Sequence, residues 1–174
     1  MKNKITFCVS VFILMLVLSV AGFSDDRGIT IVNATGTGNG TNSISFTNPY
    51  TNTTQTTWAG VILGKIDNGD VSGFYCIDIR NFLGMDPEIY NDSSYSNKYI
   101  NYVLLNHMPY VTYPYPGSNG SINIEAAAVQ FAVWHFSDGV DPNTISNATV
   151  KARAIEIIAD ANAHPNFGVP IKNI

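Results

Sequence analysis

Residues 124–136 read IEAAAVQFAVWHF, an almost unbroken apolar stretch. A helix that is apolar on nearly every side is buried, so this segment predicts a central helix inside the protein. Gln130 is the exception, because it stands among alanine, valine and aromatic residues. Burying its amide without a hydrogen-bond partner would cost on the order of 2–7 kcal/mol. The sequence therefore requires a partner for Gln130, and a backbone group would be enough to supply it.

The residues before this helix favour β-structure. Residues 28–66 contain three β-type segments (GITIVNA, NSISFTN and TTWAGVILGKI) that are separated by Gly, Asn and Thr. Residues 65–79, KIDNGDVSGFYCIDI, then predict a hairpin with its turn at 67–70. The returning strand would carry Cys76, with Phe74, Cys76 and Asp78 on one face.

Two further segments have helical periodicity. Residues 95–107 (YSNKYINYVLLNH) and 148–163 (ATVKARAIEIIADANA) each predict an amphipathic helix. The Pro- and Tyr-rich residues 109–116 between them predict a loop. Strands followed by helices, without alternation, predict an α+β fold.

The composition and the first residues indicate an exported protein. Residues 1–23 combine a positive start, an apolar run and small residues, which predicts a secretory signal peptide, with one domain over 24–174. We expect a secreted or surface-displayed monomer. The net charge of −4 and the absence of a basic cluster outside the signal exclude nucleic acid as an expected partner.

Cysteine use raises a question of its own. Once the signal is removed with Cys8, Cys76 is alone and has no intramolecular disulfide partner. It could be a buried residue that acts as a small apolar side chain. Alternatively, a thiolate beside a buried carboxamide can attack its carbonyl carbon, expel ammonia and leave a side-chain thioester, which an amine could then open.

The second reading is supported by a resemblance. YCID at 75–78 and VQFAVWHFSDG at 129–139 resemble the two motifs of the thioester domains of bacterial surface adhesins, and the similarity spans about residues 58–163. Val129 departs from the family pattern, in which threonine is frequent. The resemblance implies a β-sandwich-like body with a helical portion that carries the glutamine.

The resemblance also implies the site and its partner. Cys76 and Gln130 would form an internal thioester, supported by four nearby residues: Trp134, Phe131, Ala132 and Tyr75. The domain would react once, without a cofactor or metal, with an amine such as a lysine side chain on a protein of a target surface. It would thus be a self-reactive adhesion domain and not an enzyme.

Two other functions stay open from the residues alone. A cysteine hydrolase would need a histidine base beside Cys76, chosen from His107, His135 and His164. A non-covalent module that binds a glycan or a protein could use the tyrosines of residues 109–116. Metal binding is not expected, because the histidines and the cysteine show no ligand spacing. Asp78 and Asp138 lie near the two motifs, where capping or turn roles are the simpler expectation.

Overall fold

The computed structural model describes residues 30–66, 69–80, 88–90, 97–107, 120–165 and 167 of the 174-residue chain. Four strands come first along the chain, followed by three helices and one short 3-10 turn. These are β1 (Thr30–Asn48), β2 (Thr53–Ile66), β3 (Val71–Phe74), β4 (Glu88–Tyr90), α1 (Lys98–Asn106), α2 (Ile122–Asp138), the turn Pro142–Thr144 and α3 (Ala148–Ala163). The predicted signal peptide and the Tyr-rich loop at 109–116 lie outside the described residues, so both stay predictions.

The strands form one antiparallel sheet in the order β3-β2-β1-β4. The first two β-type segments were expected to be separate strands, which is wrong, because β1 runs through both of them. Three register shifts against β2 absorb the intervening residues as irregularities in the pairing. Gly40 pairs with Gly60 here, and a Cβ at Gly60 would lie only 2.3 Å from the Asn39 carbonyl oxygen. Glycine is required at this close approach.

The predicted helices are present with small changes in their bounds. α3 begins and ends where the sequence predicts, α1 is shorter than predicted, and α2 extends beyond 124–136 at both ends. Ser121 caps the start of α2, where its hydroxyl accepts from the Ile124 backbone N–H, and Gly139 ends the helix at a φ of 79°. No helix in the described ranges is long and apolar enough to cross a membrane.

The α2 helix lies in the middle of the structure. Its residues from Glu125 to Trp134 are all buried, as predicted for a helix that is apolar all round. On one side it packs against β1 and β2, where Phe46 lies edge-on to Phe131 at 5.4 Å. On the other side it packs against α1 and α3. The predicted α+β class is confirmed, and the described body is one sheet whose covering layer is helical.

A buried ion pair joins the helices near the start of α2. Glu125 is fully buried on α2, and Arg153 of α3 donates to both of its oxygens, at 2.7 Å and 3.0 Å. His107, at the end of α1, lies 3.9 Å from the same carboxylate. Burial and the neighbouring Arg153 hold the pKa of His107 below its ordinary value, so this imidazole is neutral at pH 7. The Glu125–Arg153 pair thus joins α2 to α3, and Arg153 also contacts His107 Nδ1 at 3.5 Å, which connects α1 to the pair.

We expect Glu125→Ala to lower the free energy of unfolding by about 3–5 kcal/mol, because Arg153 would keep a buried charge without its main partner. The matched control is Glu156→Ala, since Glu156 also binds Arg153 at 3.0 Å but is 52 % exposed. That change should cost less than about 1 kcal/mol. Urea unfolding followed by tryptophan fluorescence measures both values. Equal losses for the two variants would contradict the role given to Glu125.

Candidate functional site

Cys76 lies just beyond the end of β3, and not on a strand. The pairing of β3 with β2 ends at Phe74, which faces Ile62, so the prediction that Cys76 and Asp78 continue an alternating strand is wrong. Ile77, between them, is exposed. The physical reason is that the backbone of Cys76 is hydrogen-bonded to a side chain of α2 and not to a neighbouring strand.

That side chain is Gln130. Its carboxamide oxygen Oε1 accepts from the Cys76 backbone N–H at 3.0 Å, and its Nε2 donates to the Cys76 carbonyl oxygen at 2.7 Å. Gln130 is 1 % exposed, so its carboxamide is shielded from bulk water. The amide therefore binds Cys76 as the peptide group of a neighbouring strand would. The partner that the sequence requires for Gln130 is the backbone of Cys76.

The thiol of Cys76 is half-buried and points to a backbone oxygen. Its Sγ donates to the Asp78 carbonyl oxygen at 3.1 Å. Burial raises the pKa of the Cys76 thiol, and the carboxylates of Asp138 and Asp78 raise it further. The backbone at Asp78 and the Trp134 side chain act in the opposite direction and lower this pKa, but the net shift is upward. At neutral pH the sulfur is thus held mainly as the thiol.

The four residues predicted to support the site lie in different positions around it. Trp134 follows Gln130 by one helical turn and therefore lies on the same face of α2. Phe131 is buried edge-on to Trp134 at 5.3 Å. Tyr75 packs half-buried against the core beside Cys76. Ala132 is fully buried, but residues two apart on a helix do not share a face, so it supports the packing of α2 and does not face the carboxamide.

Four polar side chains near Cys76 contact one another, and we call Tyr50, Asp78, Arg80 and Asp138 the polar rim. The Tyr50 hydroxyl donates to Asp138 at 2.9 Å, and Arg80 donates to both oxygens of Asp78 at 2.9 Å. The Arg80 guanidinium also lies over the Tyr50 ring, 4.9 Å from its centroid. Neither Tyr50 nor Arg80 was predicted from the sequence. Tyr50 is 88 positions from Asp138, and no local pattern in the sequence signals such a contact.

The histidines have other partners. His135 Nδ1 lies 2.9 Å from the Val140 carbonyl oxygen, and His164 Nδ1 lies 2.8 Å from that of Asp160. His107 belongs to the buried cluster around Glu125. Within the described part of the chain, none of the three forms a hydrogen bond with Cys76, so the geometry gives no support to a cysteine hydrolase. The described residues contain no group of three or more His, Cys, Asp or Glu that could hold a metal ion.

Comparison with known protein families matches residues 73–163 to the thioester domain, a match over more than half of the 174 residues. The chain belongs to the thioester domain family. The matched range includes both Cys76 and Gln130. Searches of curated proteins and of solved structures find no match. Thioester domains are typically found on extracellular surface adhesins, so family membership indicates an adhesion domain that contains a thioester.

The raised pKa of Cys76 can be tested when its acyl partner is removed. Gln130→Met keeps the side-chain volume but has no carbonyl to attack, and Cys8→Ser leaves Cys76 as the only thiol. In this double variant we expect the rate of iodoacetamide alkylation to rise with pH around a midpoint above that of a free cysteine. The same protein unfolded in urea is the control and should show the ordinary midpoint. A folded-state midpoint at or below the control would contradict the effect of burial.

Proposed function

We propose that the chain forms a thioester between Cys76 Sγ and Gln130 Cδ, and that this bond acylates amines on a target surface. The observation that carries the proposal is the pair of hydrogen bonds between the Gln130 carboxamide and the Cys76 backbone. The reactive sulfur is attached to the same residue that holds the carboxamide. Such fixed proximity is where much of the rate of an intramolecular reaction originates.

The first step is attack by sulfur on the amide carbon. Rotation about the Cα–Cβ bond of Cys76 is the motion available to turn Sγ from the Asp78 carbonyl toward Cδ of Gln130. As the S–C bond forms, negative charge develops on Oε1, which already accepts from the Cys76 backbone N–H. A backbone donor fixed in a dry site is well suited to stabilise that charge.

Loss of ammonia completes the thioester. The bond from Cδ to Nε2 breaks, and the nitrogen leaves with the proton that the thiol has given up, so the products are one thioester and one ammonia. In the amide form Nε2 donates to the Cys76 carbonyl oxygen at 2.7 Å. That hydrogen bond fixes the plane of the carboxamide before the reaction. Burial then shields the new bond from water.

The second step uses the bond once. An amine attacks Cδ, an amide forms, and the C–S bond breaks while sulfur takes up the proton that the nitrogen loses. We propose lysine side chains of a surface protein as the amines. The carboxylates of Asp78 and Asp138 lie close enough to raise the pKa of the thiol. Arg80 neutralises Asp78, so Asp138 is the carboxylate that would favour a cationic lysine on approach. Since Gln130 ends as a stable amide, the domain is consumed and does not turn over.

This proposal fits an exported domain. A signal peptide at 1–23 would direct residues 24–174 to the cell exterior, where amine-bearing proteins of a target surface are accessible. We propose that the domain acts there as a secreted or surface-displayed monomer. The covalent bond, rather than a large contact area, would supply the strength of adhesion.

Intact mass tests the first step. We expect the purified protein to be lighter than its sequence by one ammonia, and incubation with methylamine to add one methylamine to the chain at Gln130. Peptide mapping locates the adduct, and reaction with a lysine-containing protein should give a product that survives boiling in detergent.

Three variants control this measurement. Cys76→Ala and Gln130→Met should both restore the full sequence mass and abolish the adduct. Gln55→Met is the matched control, because Gln55 is the only other glutamine in the sequence and accepts from Asn48. This variant should behave as the wild type. A wild-type protein of full sequence mass that takes up no methylamine would refute the proposed function.

A further inference from the structure

The indole N–H of Trp134 has no hydrogen-bond acceptor among the described residues, although it is buried. Trp134 is 6 % exposed, so water does not readily replace the missing acceptor. A buried tryptophan N–H usually finds a partner. The surrounding residues hold this donor in place without an acceptor, so it is available to one that forms nearby.

The position of Trp134 on α2 indicates which atom that is. Trp134 stands four residues after Gln130, and helical side chains lean toward the N-terminus, so the indole lies over the turn that carries the carboxamide. The Gln130 carboxamide is bound to Cys76, which packs against the same core as Trp134. Two rings hold the indole in place, because Phe46 stacks on it at 5.9 Å and Phe131 meets it edge-on at 5.3 Å.

The electrostatics of the thiol agree with this placement. Burial is the largest influence on the pKa of Cys76 and raises it, whereas the Trp134 side chain is among the groups that lower it. A donor lowers a thiol pKa by binding the thiolate better than the thiol. Trp134 thus lies near enough to the sulfur to favour its charged form, which agrees with the position of the indole one helical turn after Gln130.

We propose that the Trp134 N–H is the hydrogen-bond donor for the charged sulfur of Cys76, both when the thiolate attacks Gln130 and when it leaves during attack by an amine. This inference rests on the proposed thioester and adds a catalytic residue to it. In the resting thiol the S–H donates to the Asp78 carbonyl oxygen. Once the proton is lost, sulfur becomes an acceptor and the indole gains its partner.

The donor acts selectively on the charged states. The sulfur of a thiol or a thioester is a weak acceptor, whereas a thiolate is a strong one. A donor that binds only the charged state lowers the barriers of both steps without stabilising the thioester itself. The resemblance alone implies that Trp134 shields the bond from water. As a donor to the thiolate, Trp134 would also take part in the reaction.

The pKa of the Cys76 thiol distinguishes a Trp134 that donates to the thiolate from a Trp134 that only shields the site from water. In the Cys8→Ser, Gln130→Met protein, we expect Trp134→Phe to raise the midpoint of iodoacetamide alkylation by about one pH unit, the size of one charge-assisted hydrogen bond. Trp58→Phe is the matched control, because it removes the other tryptophan, whose ring packs against Gly40 and Gly60, and should leave the midpoint unchanged. A shielding role alone predicts no rise, or a fall if water enters. Either of those results would overturn the proposal.

The reaction itself gives a second readout. In the otherwise unchanged chain, Trp134→Phe should slow the uptake of methylamine by the thioester about tenfold. An unchanged rate would overturn the proposal. If the wild type loses no ammonia, the proposed function fails, but the thiol measurement still tests whether Trp134 binds the thiolate.

A third protein tests the proposal if Trp134→Phe does not fold. Benzothienylalanine has the shape of tryptophan with sulfur in place of the N–H, and it can replace Trp134 alone in a Trp58→Phe chain. Combined with Cys8→Ser and Gln130→Met, this protein should show the same raised alkylation midpoint as Trp134→Phe. A midpoint equal to that of the tryptophan-containing parent would overturn the proposal.

Discussion

The pairing of the Gln130 carboxamide with the backbone of Cys76 is the interaction on which the site depends. It requires a helix buried deeply enough to isolate an amide, and a chain that leaves the sheet at the right residue. The first requirement is met by the apolar surface of α2 and the second by the end of β3 at Phe74. Because the carboxamide takes both backbone groups of Cys76, further strand pairing there would have to displace the glutamine. The same two hydrogen bonds therefore end the strand pairing and form the site.

Burial has two opposed effects on this chemistry. It protects a thioester from water, but it also raises the pKa of Cys76 and so reduces the fraction of nucleophilic thiolate. Local donors can offset the second effect without admitting water. The Cys76 backbone N–H is directed at the amide oxygen, and in our proposal the Trp134 N–H is directed at the sulfur. Each donor faces an atom on which negative charge appears only during the reaction, which is the arrangement expected of a preorganised site.

Sequence reasoning worked where local pattern decides the structure. The buried helix, the bounds of α3 and the unusual position of Gln130 all follow from periodicity and from the cost of burying an amide. Sequence reasoning failed where a contact with a distant residue overrides the local preference. Residues 75–79 resemble a strand, yet the glutamine from α2 takes the backbone of Cys76. The glycine-containing segments of β1 resemble two strands, yet pairing with β2 carries the ladder through them. The contact of Tyr50 with Asp138 joins distant residues and has no local signature.

The buried ion pair between Glu125 and Arg153 bears on the site through α2. Glu125 lies five residues before Gln130, and at the other end of the helix the Asn97 side chain donates to the Phe136 carbonyl oxygen at 3.0 Å. Both ends of α2 are thus tied to neighbouring elements, with the carboxamide between them. A buried ion pair is weak evidence for stability in itself, but breaking one is costly, so it disfavours other placements of the helix. A reaction that joins two side chains of one protein needs such a fixed placement of the helix. Small displacements of the reacting atoms reduce its rate strongly, and no substrate is present to induce the correct geometry.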